Sequence, residues 1–119
     1  MASHNKLGET GELLAEAWLT KKGYNILHRN WRFKKYEIDI IATRNNKLHF
    51  LEIKTRNASP FGHPEDSVTK KKFRSLKRAA NQFLFLHPGY PWIQYDILAI
   101  TIYPDKETEY FLLEDVFLV

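Results

Sequence analysis

The 119-residue sequence has no cysteine, which excludes disulfides, thiolate zinc sites and cysteine nucleophiles at once. No stretch comes near the roughly 20 consecutive apolar residues that span a bilayer. The opening residues, Met1-Ala2-Ser3-His4-Asn5-Lys6, lack the apolar run of a secretory signal. No Gly/Ser/Pro-rich linker divides the chain, and no internal repeat or low-complexity segment interrupts it. The expectation is one cytoplasmic domain over residues 1–119, without a membrane partner. The histidines His4, His28, His49, His63 and His87 show no metal-ligand spacing. Gly8-Glu9-Thr10-Gly11 has neither the preceding strand nor the following Gly-Lys-Ser/Thr of a phosphate loop. Ser/His/Asp catalysis has no supporting local motif.

What is present is an ordinary globular balance, 44% hydrophobic and 27% charged, which excludes a disordered chain. The net charge is +4, unevenly spread. Residues 104–119 hold one base and five acids, −4, so residues 1–103 hold 17 bases and nine acids, +8. A basic body suits an anionic partner such as nucleic acid.

Periodicity predicts a helix over 7–22, with Leu7, Leu14, Ala17 and Trp18 on one face and Gly23 as its stop. Strands follow over 25–33, 36–43 and 47–54, the last two joined by Asn45-Asn46, which tolerate the positive φ of a tight hairpin. Residues 57–67 read as a loop. Ser67 or Thr69 would cap a second helix to about Leu86, its apolar face made by Phe73, Leu76, Ala80, Phe83 and Leu84. Strands over 92–102 and 109–113 complete the order α-β-β-β-α-β-β. This is an α/β class fold: a sheet flanked by helices.

The central hairpin carries the chemistry. With a two-residue turn at Asn45-Asn46, paired residue numbers sum to 91, so Asp39 faces Glu52 and Glu37 faces Lys54. Ile38, Ile40 and Ile41 surround Asp39, and Leu51 and Ile53 flank Glu52. Two carboxylates opposed in an apolar setting repel unless a cation or proton lies between them. Mg²⁺ bound by oxygen ligands meets that need, and such a metal activates water and stabilises charge on a phosphate. Lys54, two residues on, would orient the water or neutralise the developing oxyanion. A surface ion pair of Lys54 with Glu37 or Glu52 is the plain structural alternative.

Glu37-Ile38-Asp39-Ile40-Ile41-Ala42 and Phe50-Leu51-Glu52-Ile53-Lys54-Thr55-Arg56 resemble the core of the PD-(D/E)XK nuclease superfamily. More closely, the chain resembles the YraN-like family of small bacterial proteins, similar in fold to archaeal Holliday junction resolvases. The likeness covers most of residues 7–102. It includes Leu7-Gly8-Glu9-Thr10-Gly11-Glu12, Gly23-Tyr24-Asn25-Ile26-Leu27, Arg29-Asn30-Trp31-Arg32, Phe61-Gly62, Ser67-Val68 with Lys70, and Tyr95-Asp96. Tyr36 stands where the family usually has Gly. The resemblance implies a restriction-endonuclease-like fold with a mixed β-sheet flanked by helices. It further implies Asp39 and Glu52 as Mg²⁺ (or Mn²⁺) ligands, Lys54 as catalytic lysine, and Glu12 as an additional acid near the metal. On the helical wheel Glu12 lies opposite the Leu7/Leu14/Trp18 stripe, beside Gly8, Ala15 and Leu19.

Residues 67–78 hold six bases and no acid. Lys70, Arg74, Lys77 and Arg78 form a helical stripe suited to a phosphate backbone, or simply a solvated face. Arg56 and Arg32 are further DNA-binding candidates. Recognition by shape is expected, since no base-reading motif is present. The leading expectation is an Mg²⁺-dependent endonuclease on structured or branched DNA, dimeric by analogy with resolvases. The alternative is a non-catalytic DNA-binding module serving other DNA-processing proteins. A third reading is an interaction domain using Phe111-Leu112-Leu113 and Val116-Phe117-Leu118-Val119.

Overall fold

The computed structural model describes residues 2–58 and 70–116. The loop after residue 58, His63, Phe61-Gly62, the caps Ser67 and Thr69, and tail residues 117–119 lie outside the described residues.

The elements are α1 (Ala2–Lys21), β1 (Asn25–Phe33), β2 (Tyr36–Arg44), β3 (Lys47–Asn57), α2 (Lys70–Leu86), β4 (Ile93–Ile102) and β5 (Glu109–Leu113). They follow the expected order and build one mixed sheet, β1-β2-β3-β4-β5. β3 and β4 run parallel with α2 in the connection, and all other pairs are antiparallel. β3 extends past Lys54 because Thr55, Arg56 and Asn57 pair with Ile100, Thr101 and Ile102. Asn45 and Asn46 take φ of 53° and 64°, the turn their amides allow, and Arg44 pairs with Lys47. Among the described residues no helix is long and apolar enough to cross a membrane.

Each face of the sheet has its own core. Phe73, Leu76, Ala79, Ala80 and Phe83 of α2 pack on Ile38, Ile41, Leu48, Phe50 and Ile97. The apolar face of α2 is therefore the expected one, with Ala79 added and Leu84 at its margin. On the other side Ala15 and Leu19 of α1 pack on Ile40, Ala42, Leu51, Leu98 and Ile100. This stripe differs from the expected one. Gly11, Ala15 and Leu19 face the sheet, Leu14 and Trp18 only flank it, and Ala17 is exposed. Small residues decide the contact, because they let the helix backbone approach. A Cβ built on Gly11 would overlap Thr55 Oγ1 and lie 2.7 Å from Thr55 Cβ. α1 also starts at Ala2 rather than Leu7. The residues before Leu7 carry no apolar stripe, so periodicity misses a turn propagated from the packed segment.

Asp96, fully buried, ties the C-terminal segment to the sheet. It accepts from Asp115 N (2.9 Å) and Gln94 Nε2 (3.0 Å) and pairs with buried His49 Nδ1 (2.6 Å). Val116 N then donates to Tyr95 O at 2.7 Å.

Candidate active site

Side-chain alternation slips in β1 and β2 at the same level of the sheet. In β2, Ile40 packs in the α1 core and Ile38, of the same parity, in the α2 core. In β1, Arg29 and Asn30 both reach α1, bonding Glu16 (3.2 Å) and Glu12 (3.0 Å), and Trp31 packs against the α2 core. Asn30 adopts φ 53°, a left-handed conformation that Asn accepts better than most residues. Between the pairs Arg29–Ile40 and Trp31–Ile38, Asn30 stands opposite Asp39.

The β2–β3 ladder ends at this slip. Its register is the expected one, from Arg44–Lys47 to Ile40–Leu51. The next hydrogen-bonded pair would join Ile38 and Ile53. Instead Ile53 N donates to Asp39 Oδ2 at 2.8 Å. A side-chain carboxylate thus replaces a backbone carbonyl, and the strands part where Asp39 and Glu52 follow the last pair.

Burial pushes the Asp39 carboxyl up, the Glu52 charge beside it pushes further, and Glu12 and Glu37 add to both. The Ile53 N–H opposes them, and the balance is about 8. Glu52, 7% exposed, holds Lys72 Nζ at 2.8 Å. Burial would lower the Lys72 ammonium, but the Glu52 bond and the fields of Glu52, Asp39 and Glu37 outweigh it, and its pKa is raised. Asp39 and Glu52 are the adjacent anionic donors available to a metal. Among the described residues no group of three or more His, Asp or Glu forms a ready-made cation cage. Glu12 lies on α1 with Asn30 on its carboxylate, close enough to act on Asp39 by its charge.

Lys54 is placed differently from the expectation. Because the ladder stops, Glu37 does not oppose it, and Glu37 pairs with Arg32 at 3.4 Å instead. No ion pair joins Lys54 to Asp39 or Glu52 among the described residues. Lys54 lines a groove of about 450 Å³ with Arg56, Thr101, Glu109 and Phe111. Lys70, Arg74 and Arg78 are exposed on α2, whereas Lys77 is half-buried with its ammonium 5.7 Å from the Phe73 ring centre. Tyr36 packs against the α2 core, with the Arg78 guanidinium 5.8 Å from its ring centre, so it does not crowd the carboxylates. His49 lies away from Glu52, in the buried pair with Asp96. Lys72 is the site residue that sequence reasoning missed. It was one of three successive lysines, and only helix phase relative to Glu52 distinguishes it.

A mixed α/β sheet with a helix packed on each face is the architecture expected of a restriction-endonuclease-like fold, and the acid pair lies where its central hairpin opens. The chain belongs to the uncharacterised protein family UPF0102, whose model matches residues 11–100. That membership is consistent with the PD-(D/E)XK nuclease superfamily. A UPF0102 protein of Flavobacterium psychrophilum is 43% identical over 114 residues, covering 96% of this chain and 92% of that one. One of Phocaeicola vulgatus is 48% identical over 84 residues, 71% of this chain and 69% of that one. One of Bacteroides thetaiotaomicron is 40% identical over 100 residues, 84% and 83% of the two chains.

Proposed function

We propose that this protein is a Mg²⁺-dependent endonuclease, with Mn²⁺ as an alternative metal, that hydrolyses phosphodiesters in structured or branched DNA. The observation that carries this reading is the acid pair at the open end of the hairpin. Asp39 is held to about 8 by its own burial and by Glu52, and Glu52 is neutralised by an ammonium 2.8 Å away. Such a pair favours a cation. Two carboxylates fit Mg²⁺, which retains several waters and takes the rest of its ligands from phosphate. When bound there, the metal supplies an activated water and stabilisation of charge on phosphate.

The remaining work falls to the chain itself. Asp39 and Glu52 would hold the metal, with Ile53 N fixing the Asp39 carboxylate. Glu12, fixed by Asn30, adds negative potential that opposes ionisation of Asp39 and would draw a cation to the pair. Lys54 sits on the groove side and would meet the phosphate as its charge builds. Arg56 shares that groove, and Lys70, Arg74, Lys77, Arg78 and Arg32 supply backbone contacts. A second copy of the chain and other DNA-processing proteins are the proposed partners.

The test is a cleavage assay on single-stranded, duplex, flapped and four-way-junction DNA with Mg²⁺ or Mn²⁺. Wild type should cut a junction or flap, and Asp39→Asn, purified identically, should not. Equal cutting by both would refute the site assignment. One observation favours a second reading, a non-catalytic DNA-binding module: the described residues contain no cluster of three metal ligands. Its mark is salt-sensitive DNA binding, weakened by Lys70→Ala or Arg74→Ala, without cutting by either protein.

A further inference from the structure

The Lys72 ammonium already holds one of the carboxylate oxygens on which a metal would draw. It lies 2.8 Å from Glu52 Oε2, and the fields of Asp39 and Glu37 act on it as well. Glu52 is anchored in the sheet, its side chain 9% exposed, whereas the Lys72 side chain is 51% exposed. Lys72 is thus the longer and more exposed side chain of the two, so a shift on cation entry falls to it rather than to Glu52. Lys70, Lys71 and Lys72 make the first turn of α2, all three exposed residues, but only Lys72 bonds Glu52. An ammonium and a divalent cation on one carboxylate repel, so a cation entering at Asp39 and Glu52 weakens the hold of Glu52 on Lys72.

We propose that Lys72 is a positioning residue that couples cation occupancy of the acid pair to phosphate binding. Without a metal it is the internal counter-ion of Glu52. With one, its ammonium is released to the first turn of α2, beside Lys70 and Lys71, where it meets the nucleic-acid backbone. This rests on the proposed function, because it takes Asp39 and Glu52 as the cation site. Coupling of this kind is reciprocal: the cation tightens DNA binding, and DNA tightens cation binding by the same factor.

The experiment measures binding, not cutting. Mn²⁺ alone is titrated by electron paramagnetic resonance into wild type, Lys72→Gln, Lys71→Gln and Asp39→Asn, each checked by thermal melting. A labelled four-way junction is then titrated with and without Ca²⁺. Lys72→Gln should bind Mn²⁺ about fivefold more tightly than wild type, as loss of one competing partly exposed ion pair implies. Lys71→Gln, with the same change in net charge, should stay within about twofold. In the junction titration, Ca²⁺ should tighten wild type more than Lys72→Gln. Equal Mn²⁺ affinity in Lys72→Gln and Lys71→Gln, or weaker binding in Lys72→Gln, overturns the coupling and leaves the cation site standing. Wild type binding Mn²⁺ no better than Asp39→Asn removes the cation site itself, and with it both readings.

Discussion

Replacing Asp39 by Asn should stabilise the fold, and increasingly so as pH rises. The carboxyl has its ordinary value of 3.8 in the unfolded chain and is pushed up to about 8 in the folded protein. Between those values the native state binds a proton that the unfolded state does not. Stability therefore falls with rising pH across that window, and the loss is complete above its upper end. The whole interval corresponds to roughly 6 kcal/mol at ~1.36 kcal/mol per pH unit. Asp39 is partly exposed, and water and counter-ions screen the repulsion from Glu52, so about 2 kcal/mol is the expected size. The Asn side chain keeps an oxygen for Ile53 N, so the substitution removes the ionisation and little else. For a chain of this length about 2 kcal/mol raises Tm by roughly 6–10 °C. The assay is thermal and urea unfolding of both proteins from pH 5 to pH 9 without divalent metal. The difference should be small at the acid end and full at the alkaline end. Lys72 does not disturb the scan: its pKa is raised, so its contribution is lost only above its ordinary 10.5. An Asn variant that is less stable at pH 9, or that keeps the wild-type pH slope, would refute the reasoning.

Gly11→Ala should cost about 2–3 kcal/mol in urea unfolding, since its methyl overlaps Thr55, and Thr55→Gly should recover much of that in the double variant. Asp96→Ala strands His49 Nδ1 and Asp115 N, so a loss of about 3 kcal/mol is expected, with faster amide exchange at Val116 reporting the loosened C-terminal segment. Replacing Lys70, Arg74 and Arg78 together by Ala should weaken DNA binding at every sequence tested and flatten the plot of log affinity against log salt by about three contacts' worth. An unchanged slope would place the DNA elsewhere.

The hairpin was legible because Asn-Asn dictates a two-residue turn, and that turn dictates which residues face one another. The same logic stopped at Asp39. Alternation assumes an unbroken strand, and the slip shared by Asn30 and Asp39 depends on pairing between β1 and β2 that neither segment announces alone. It misplaced Lys54 for the same reason, assigning it Glu37 as a partner that the parted strands keep away. The face of α1 was misread because hydrophobic periodicity weights Trp18 and Leu14 above Gly11, whereas the helix settles on its smallest residues. Lys72 required the phase of α2 against β3, a tertiary fact. No pattern within the helix carries that phase. The flanking basic residues, by contrast, were visible as composition.

Because Asp39 stands in for a strand carbonyl, this position answers to two selective demands. On the proposed function, a descendant that gave up phosphodiester chemistry would still need an acceptor for Ile53 N, and Asp or Asn would persist there on grounds of folding alone. Glu52 has no such second duty, and among the described residues its ion-pair partner is Lys72. Across the family, joint retention of Glu52 and Lys72 is therefore the more telling signature of a working site than the aspartate itself. Members that keep the aspartate but lose the pair would mark, on that same reading, lineages in which the scaffold outlived the proposed reaction.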